Sequence, residues 1–110
     1  MKVAIIGSRT LEINNLEDYI PKNTVEIISG GANGVDSCAK AYALKNSLIY
    51  TEFLPKYDKF GKSAPLKRNI EIIDYADMVI AFWDGKSRGT RFVIKSCEKL
   101  GKPIKVFMVD

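Results

Sequence analysis

Apolar residues in this chain fall into short β-branched runs separated by amphipathic stretches, and that alternation predicts the elements. "KVAIIG" at 2–7 reads as a buried parallel strand. A short helix over 14–20 follows, stopped by Pro21, and "TVEIIS" at 24–29 is the second strand. Strong helix formers at Ala39, Ala41, Ala43 and Leu44 mark 33–46 as a helix, and "SLIYTEFL" at 47–54 is the third strand. The polar stretch 55–64 reads as the longest loop, and Pro65 sits where proline is tolerated, in the first turn of a helix over 65–76. "DMVIAFW" supplies the fourth strand. In 89–100 the residues Phe92, Val93, Ser96, Cys97 and Leu100 share one helical face, and Gly101 with Pro103 stops that helix before "PIKVFMV" closes the sheet.

Strict β, α alternation with apolar strands predicts an α/β, Rossmann-like three-layer sandwich: a five-stranded parallel sheet of order 3-2-1-4-5 with helices on both faces. In a parallel sheet all the strand carboxyl ends share one edge. "GSRT", "SGGANG", "PKYDKFGKSAPLKRN" and "DGKSRGT" therefore meet there, whereas "PKN" at 21–23 and "GKP" at 101–103 are short connectors at the other edge.

Composition narrows the function. With 110 residues, 46% hydrophobic and 27% charged, the chain is expected to form one domain over 1–110. The longest apolar run, "MVIAFW", is far short of a bilayer span of ~20 residues, so a soluble, cytoplasmic protein without a membrane partner is expected. Cys38 and Cys97 lack metal-ligand spacing and read as small buried hydrophobes; no metal site is expected from the protein's own residues. With no histidine, any catalysis falls to carboxylates, hydroxyls, tyrosines or a cofactor. The net charge of +4 is well mixed, but all four arginines, Arg9, Arg68, Arg88 and Arg91, sit in or beside the loops at the crowded edge. Arginine's planar fork suits phosphate or carboxylate, which points to an anion site.

At the glycine-rich turn, Gly30, Gly31 and Gly34 leave bare N–H groups at a helix start, where an anion is favoured. Asp36 can cap those groups or accept from a ribose hydroxyl. Ser87 or Thr90 can donate hydroxyls beside Gly89, or one of them can simply cap the last helix. Trp83 is either a stacking platform for a base or part of the core rim. Asp84 beside Gly85 could approach a magnesium ion accompanying a phosphate ligand, but one carboxylate does not define a metal site, and the cofactor is left open.

"IIGSR", "SGGANGVD", "KRNIEIIDYADMVIAF", "SRGT" and "GKPIKV", in that order, resemble the SLOG superfamily of Rossmann-like domains over nearly the whole chain. The small stand-alone branch of YspA- or YpsA-related proteins is the nearest in pattern; the superfamily also holds DprA, with a similar "SG-x-A-x-G-x-D" string, and the LOG phosphoribohydrolases. The resemblance implies a nucleotide or nucleotide-derived ligand at the glycine-rich edge, and a homodimer or higher homo-oligomer. It assigns the ligand to Gly7, Ser8 and Arg9, to Ser29, Gly30, Gly31, Gly34 and Asp36, to Arg68 and Asn69, and to Ser87, Gly89 and Thr90. The phosphoribohydrolase string "PGGxGTxxE" is not reproduced: Ser29 replaces its proline and no glutamate stands at the turn, leaving Asp36 as the nearest candidate catalytic carboxylate. Three functions follow: a nucleotide sensor or carrier, an enzyme cleaving an N-glycosidic or phosphoester bond, and a DprA-like binder of single-stranded nucleic acid.

Overall fold

The computed structural model describes residues 1–109. Five parallel strands, β1 (Lys2–Gly7), β2 (Glu26–Ser29), β3 (Ile49–Glu52), β4 (Met78–Trp83) and β5 (Ile104–Met108), form one sheet of order β3-β2-β1-β4-β5. The register pairs Ala4 with Ile28 on one side and with Val79 on the other, which makes β1 the central strand. β1 and β4 carry four consecutive buried residues each, the signature of strands covered on both faces.

Four helices, α1 (Val35–Lys45), α2 (Tyr57–Phe60), α3 (Ala64–Tyr75) and α4 (Arg88–Leu100), complete the fold. Alternate strand residues divide the core. Val3, Ile5, Ile27, Ile80 and Phe82 pack against Val35, Ala39 and Ala43 of α1, while Ala4, Ile6, Ile28 and Val79 pack against Ile72 and Ile73 of α3 and Val93 and Cys97 of α4. The Rossmann-like sandwich expected from the alternation is the observed architecture, and the strand order reverses beside β1.

Four local expectations change. The helix over 14–20 is only a 3-10 turn, Leu16–Asp18, because Leu16 and Ile20 are needed in the α1-side core and Pro21 leaves no room for a further turn. The loop 55–64 contains α2 and a second 3-10 turn, Gly61–Ser63. Leu100 stays exposed, although Gly101 stops α4 as expected, in the left-handed conformation with its N–H donating to the Cys97 carbonyl. Both cysteines are free thiols; Cys97 is buried, but Cys38 is only half-buried and accepts from the Ile13 N–H at 3.4 Å. No helix among the described residues is long and apolar enough to cross a membrane.

Candidate functional site

At the carboxyl edge of the sheet the loops after β1, β2, β3 and β4 surround a cleft of about 470 Å³. Its lining includes Gly7, Ser8 and Arg9 from the first loop, Gly30 and Asp36 from the second, Arg68 and Asn69 from α3, and Ser87, Gly89 and Thr90 from the start of α4. Ser29, Gly31 and Gly34 lie outside that lining. Ser29 is fully buried and its hydroxyl shares a 2.6 Å hydrogen bond with that of Tyr50, which in turn donates to Glu52 at 2.9 Å. Burial, with Glu52 adding to it, pushes the Tyr50 hydroxyl up to about 12, so this side chain stays protonated near neutral pH.

The close approach that the glycines permit is made by the protein itself. A Cβ on Gly30 would run into the Arg68 guanidinium, and one on Gly34 would run into the Arg9 carbonyl. Arg68 Nη1 donates to the Gly30 carbonyl at 2.7 Å and to the Phe53 carbonyl at 3.2 Å, while its Nε donates to Asn69 Oδ1 at 2.8 Å. One side chain thereby ties the ends of β2 and β3 to α3, and Nη2 is engaged by none of these bonds. Gly30 is gripped from both sides, since its N–H donates to Asp36 Oδ2 at 3.2 Å.

Asp36 Oδ2 also accepts from the Ala32 N–H at 3.1 Å, so the carboxylate folds the turn that precedes its own helix. Asp36 is only 6% exposed, and Oδ1 is buried without a hydrogen-bond partner among the described residues. Burial raises the Asp36 carboxyl above its usual 3.8; the Ala32 N–H, the Arg68 charge and the Gly30 N–H pull the other way without cancelling it. The folded state therefore holds this proton more tightly than the unfolded chain. The charged side chain opposes folding above the raised pKa, and that penalty fades as pH falls toward 3.8. Thermal midpoints of wild type and Asp36→Asn measured from pH 8 to pH 4 should accordingly diverge in the wild type's favour as pH falls; a constant difference contradicts this role for the buried charge.

The loop after β4 is built around Asp84. Its Oδ1 accepts from the Lys86 and Ser87 N–H groups at 2.8 Å each, and these donors hold the carboxyl below its usual value. The Ser8 hydroxyl accepts from the Asp84 N–H at 3.4 Å, which stitches this loop to the one after β1. Ser87 Oγ caps α4 by accepting from the Thr90 N–H at 3.4 Å. Trp83 lies outside the lining, and its indole N–H donates to the Ser87 carbonyl at 3.0 Å. Sequence reasoning missed Ile6, Thr10, Ala32, Pro65, Leu66 and Lys86 as lining residues, and had named Asp84 only as an approach to magnesium. Lys86 carried a usable signal, since it stands in the same strand-to-helix loop as Ser87. Among the described residues no group of three or more His, Cys, Asp or Glu is placed to hold a metal ion.

Three helices of 11, 12 and 13 residues begin around this cleft. The first N–H groups of a helix have no intrahelical acceptor, and α1 and α3 lack a side-chain cap at the N-cap position. Arg9, Arg68 and Lys86 add positive charge to the same walls. Sheet order, switch point and glycine-rich β2–α1 turn together define a Rossmann-like α/β domain.

The chain belongs to the DNA recombination-mediator protein A family, whose profile matches residues 1–57, and this match supports the SLOG resemblance. It is also similar to the Gene 61 protein of Mycobacterium phage D29, with 34% identity over 116 aligned positions that cover 94% of this chain and 93% of the phage protein. No solved structure matches it.

Proposed function

We propose that the cleft binds a nucleotide or nucleotide-derived ligand, with its phosphate against the helix N-termini, and that the protein acts as a sensor or carrier of that ligand. The observation that supports this most is the convergence of three helix starts and two arginines on one cleft at the topological switch point, an arrangement that favours an anion. The same reading assigns the chain to the small stand-alone YspA- or YpsA-related branch, and makes it a cytoplasmic homo-oligomer.

A second reading, single-stranded DNA as the ligand, is favoured by the family and by the charge beside the cleft. Segment 56–68 carries Lys56, Lys59, Lys62, Lys67 and Arg68 against Asp58 alone, and segment 84–91 carries Lys86, Arg88 and Arg91 against Asp84 alone. Tyr57 is exposed within the first segment and offers a ring on which a base can stack.

Thermal unfolding against AMP, ATP, NAD, ADP-ribose and a short single-stranded DNA, each with and without magnesium, tests both. A ligand at ~100 times its Kd adds about 2.7 kcal/mol, a rise on the order of 10 °C for a domain of this size. A shift with a mononucleotide supports the first reading. A shift with DNA alone that fades steeply as salt is added supports the second, and no shift with any compound argues against both.

A further inference from the structure

Strand β5 ends the order β3-β2-β1-β4-β5, and its far side has no neighbouring strand among the described residues. The Pro103 carbonyl accepts from the Val79 N–H, and the Val109 N–H donates to the Trp83 carbonyl, so the odd-numbered residues here turn their backbone groups toward β4. Alternation along the strand then turns the N–H and C=O of Ile104, Val106 and Met108 outward. Proteins commonly guard such an edge with charge or proline. These three residues are apolar instead, and Val106 is 39% and Met108 64% exposed. At the opposite edge, the bonds from Ile49 and Phe53 to β2 leave Tyr50 and Glu52 facing outward, and the Glu52 charge is the guard.

A second copy of this chain fits the β5 edge. A two-fold axis sets two copies of one strand antiparallel. Centred on Val106, it lays Val106 against Val106 and Ile104 against Met108 of the other copy. Each of the three outward residues then donates one hydrogen bond and accepts one, as directly opposed pairs in an antiparallel ladder do. Their side chains share the face on which Ile104 packs with Val93 and Cys97, so the row across the joint is apolar throughout. On the other face Lys105 stands opposite Phe107, a favourable pairing of ammonium and aromatic ring, and like charges meet nowhere along the ladder.

We infer that the chain forms a homodimer by antiparallel pairing of β5 with β5 of a second copy, in the register that opposes Val106 to itself, so that the two sheets become one. This rests on the homo-oligomer part of the reading above and not on the ligand. Because the strands of the two copies run in opposite directions, the two clefts open at opposite ends of the joined sheet. The joint also borders the cleft: a Cβ on Gly85 would lie 3.4 Å from Met108 Cε, in the loop whose Asp84, Lys86 and Ser87 line it.

The test is analytical ultracentrifugation of wild type and Val106→Glu over a range of concentrations, joined to oxidative cross-linking of Val106→Cys and Met108→Cys, with circular dichroism to check folding. Wild type should sediment as a dimer, and Val106→Glu should dissociate at least about 10-fold more readily, because like charges then meet across the axis. Val106→Cys should cross-link, since the Cα atoms of an opposed, hydrogen-bonded pair lie about 5.5 Å apart, within reach of a disulfide. Met108→Cys should link far more slowly: its two copies sit ~13 Å apart along the strands. Wild type oxidised in parallel accounts for any link through Cys38, the half-buried native thiol. A wild type that stays monomeric at every concentration overturns the inference and the homo-oligomer reading together. A dimer that Val106→Glu leaves intact, or that cross-links no faster through Val106→Cys than through Met108→Cys, overturns the β5 joint while the homo-oligomer reading survives. Should Val106→Glu fail to fold, the two cysteine variants decide.

Discussion

Arg68→Ala is expected to destabilise the protein by about 3 kcal/mol or more, because it removes charge-assisted hydrogen bonds to two loop carbonyls and leaves the Asp36 carboxylate without its nearby positive charge. For a chain of this length that is a fall in Tm on the order of 15 °C. From sequence, Arg68 is a ligand-binding arginine; its place in the fold puts stability first. Arg68→Lys should recover only a fraction, since a single ammonium cannot reproduce a fork that reaches Gly30, Phe53 and Asn69 together. Gly30→Ala forces the same guanidinium aside, so the two substitutions should be clearly less than additive in a double-mutant cycle. An Arg68→Ala protein that melts within a degree or two of wild type contradicts the clamp.

The second large effect belongs to Gly34. It has φ +73° and ψ −124° at the start of α1, a conformation that side chains rarely adopt, and a Cβ there would strike the Arg9 backbone carbonyl. Gly34→Ala should cost about 2 to 4 kcal/mol, as backbone strain adds to a collision that no rotamer change relieves. Gly61 provides the control, with φ +56° and no atom within 4 Å of an added Cβ. Gly61→Ala should therefore cost about 1 kcal/mol, the conformational part by itself. Equal losses in the two variants, followed by urea unfolding, would mean that the contact with Arg9 carries no weight.

The strands and their order were legible because each buried run is short and bounded, and because alternation with helices leaves little choice of topology. β1 coincides with its expected run, and β4 begins one residue inside the expected "DMVIAFW". The region around 14–20 was misread because Leu16 and Ile20 are spaced like a helical face, yet both are drawn into the α1-side core from a single turn. Segment 55–64 looked like a loop because its lysines and glycine outweigh the weak helical preference of Tyr57–Phe60.

For the site, sequence reasoning found the edge and most of the lining because strand polarity dictates them. The work of individual side chains stayed hidden. Arg68 meets Gly30 across 38 positions, and no local pattern announces such a contact. The resemblance places Ser29 among the ligand residues, and burial turns its side chain to Tyr50 on the neighbouring strand, a contact that no local pattern announces. The unequal bonding of the two Asp36 oxygens depends on burial, which spacing alone does not reveal.

A nucleotide phosphate seated, as proposed, against the helix starts at the carboxyl edge would touch their backbone N–H groups first. Titrating ¹⁵N-labelled protein with AMP while following backbone amide resonances reads those N–H groups directly. Saturable shifts concentrated at residues 9–10, 34–37 and 88–90 are expected. An AMP titration that leaves these resonances in place, or that moves only the connectors 21–23 and 101–103 at the opposite edge, would contradict that seating.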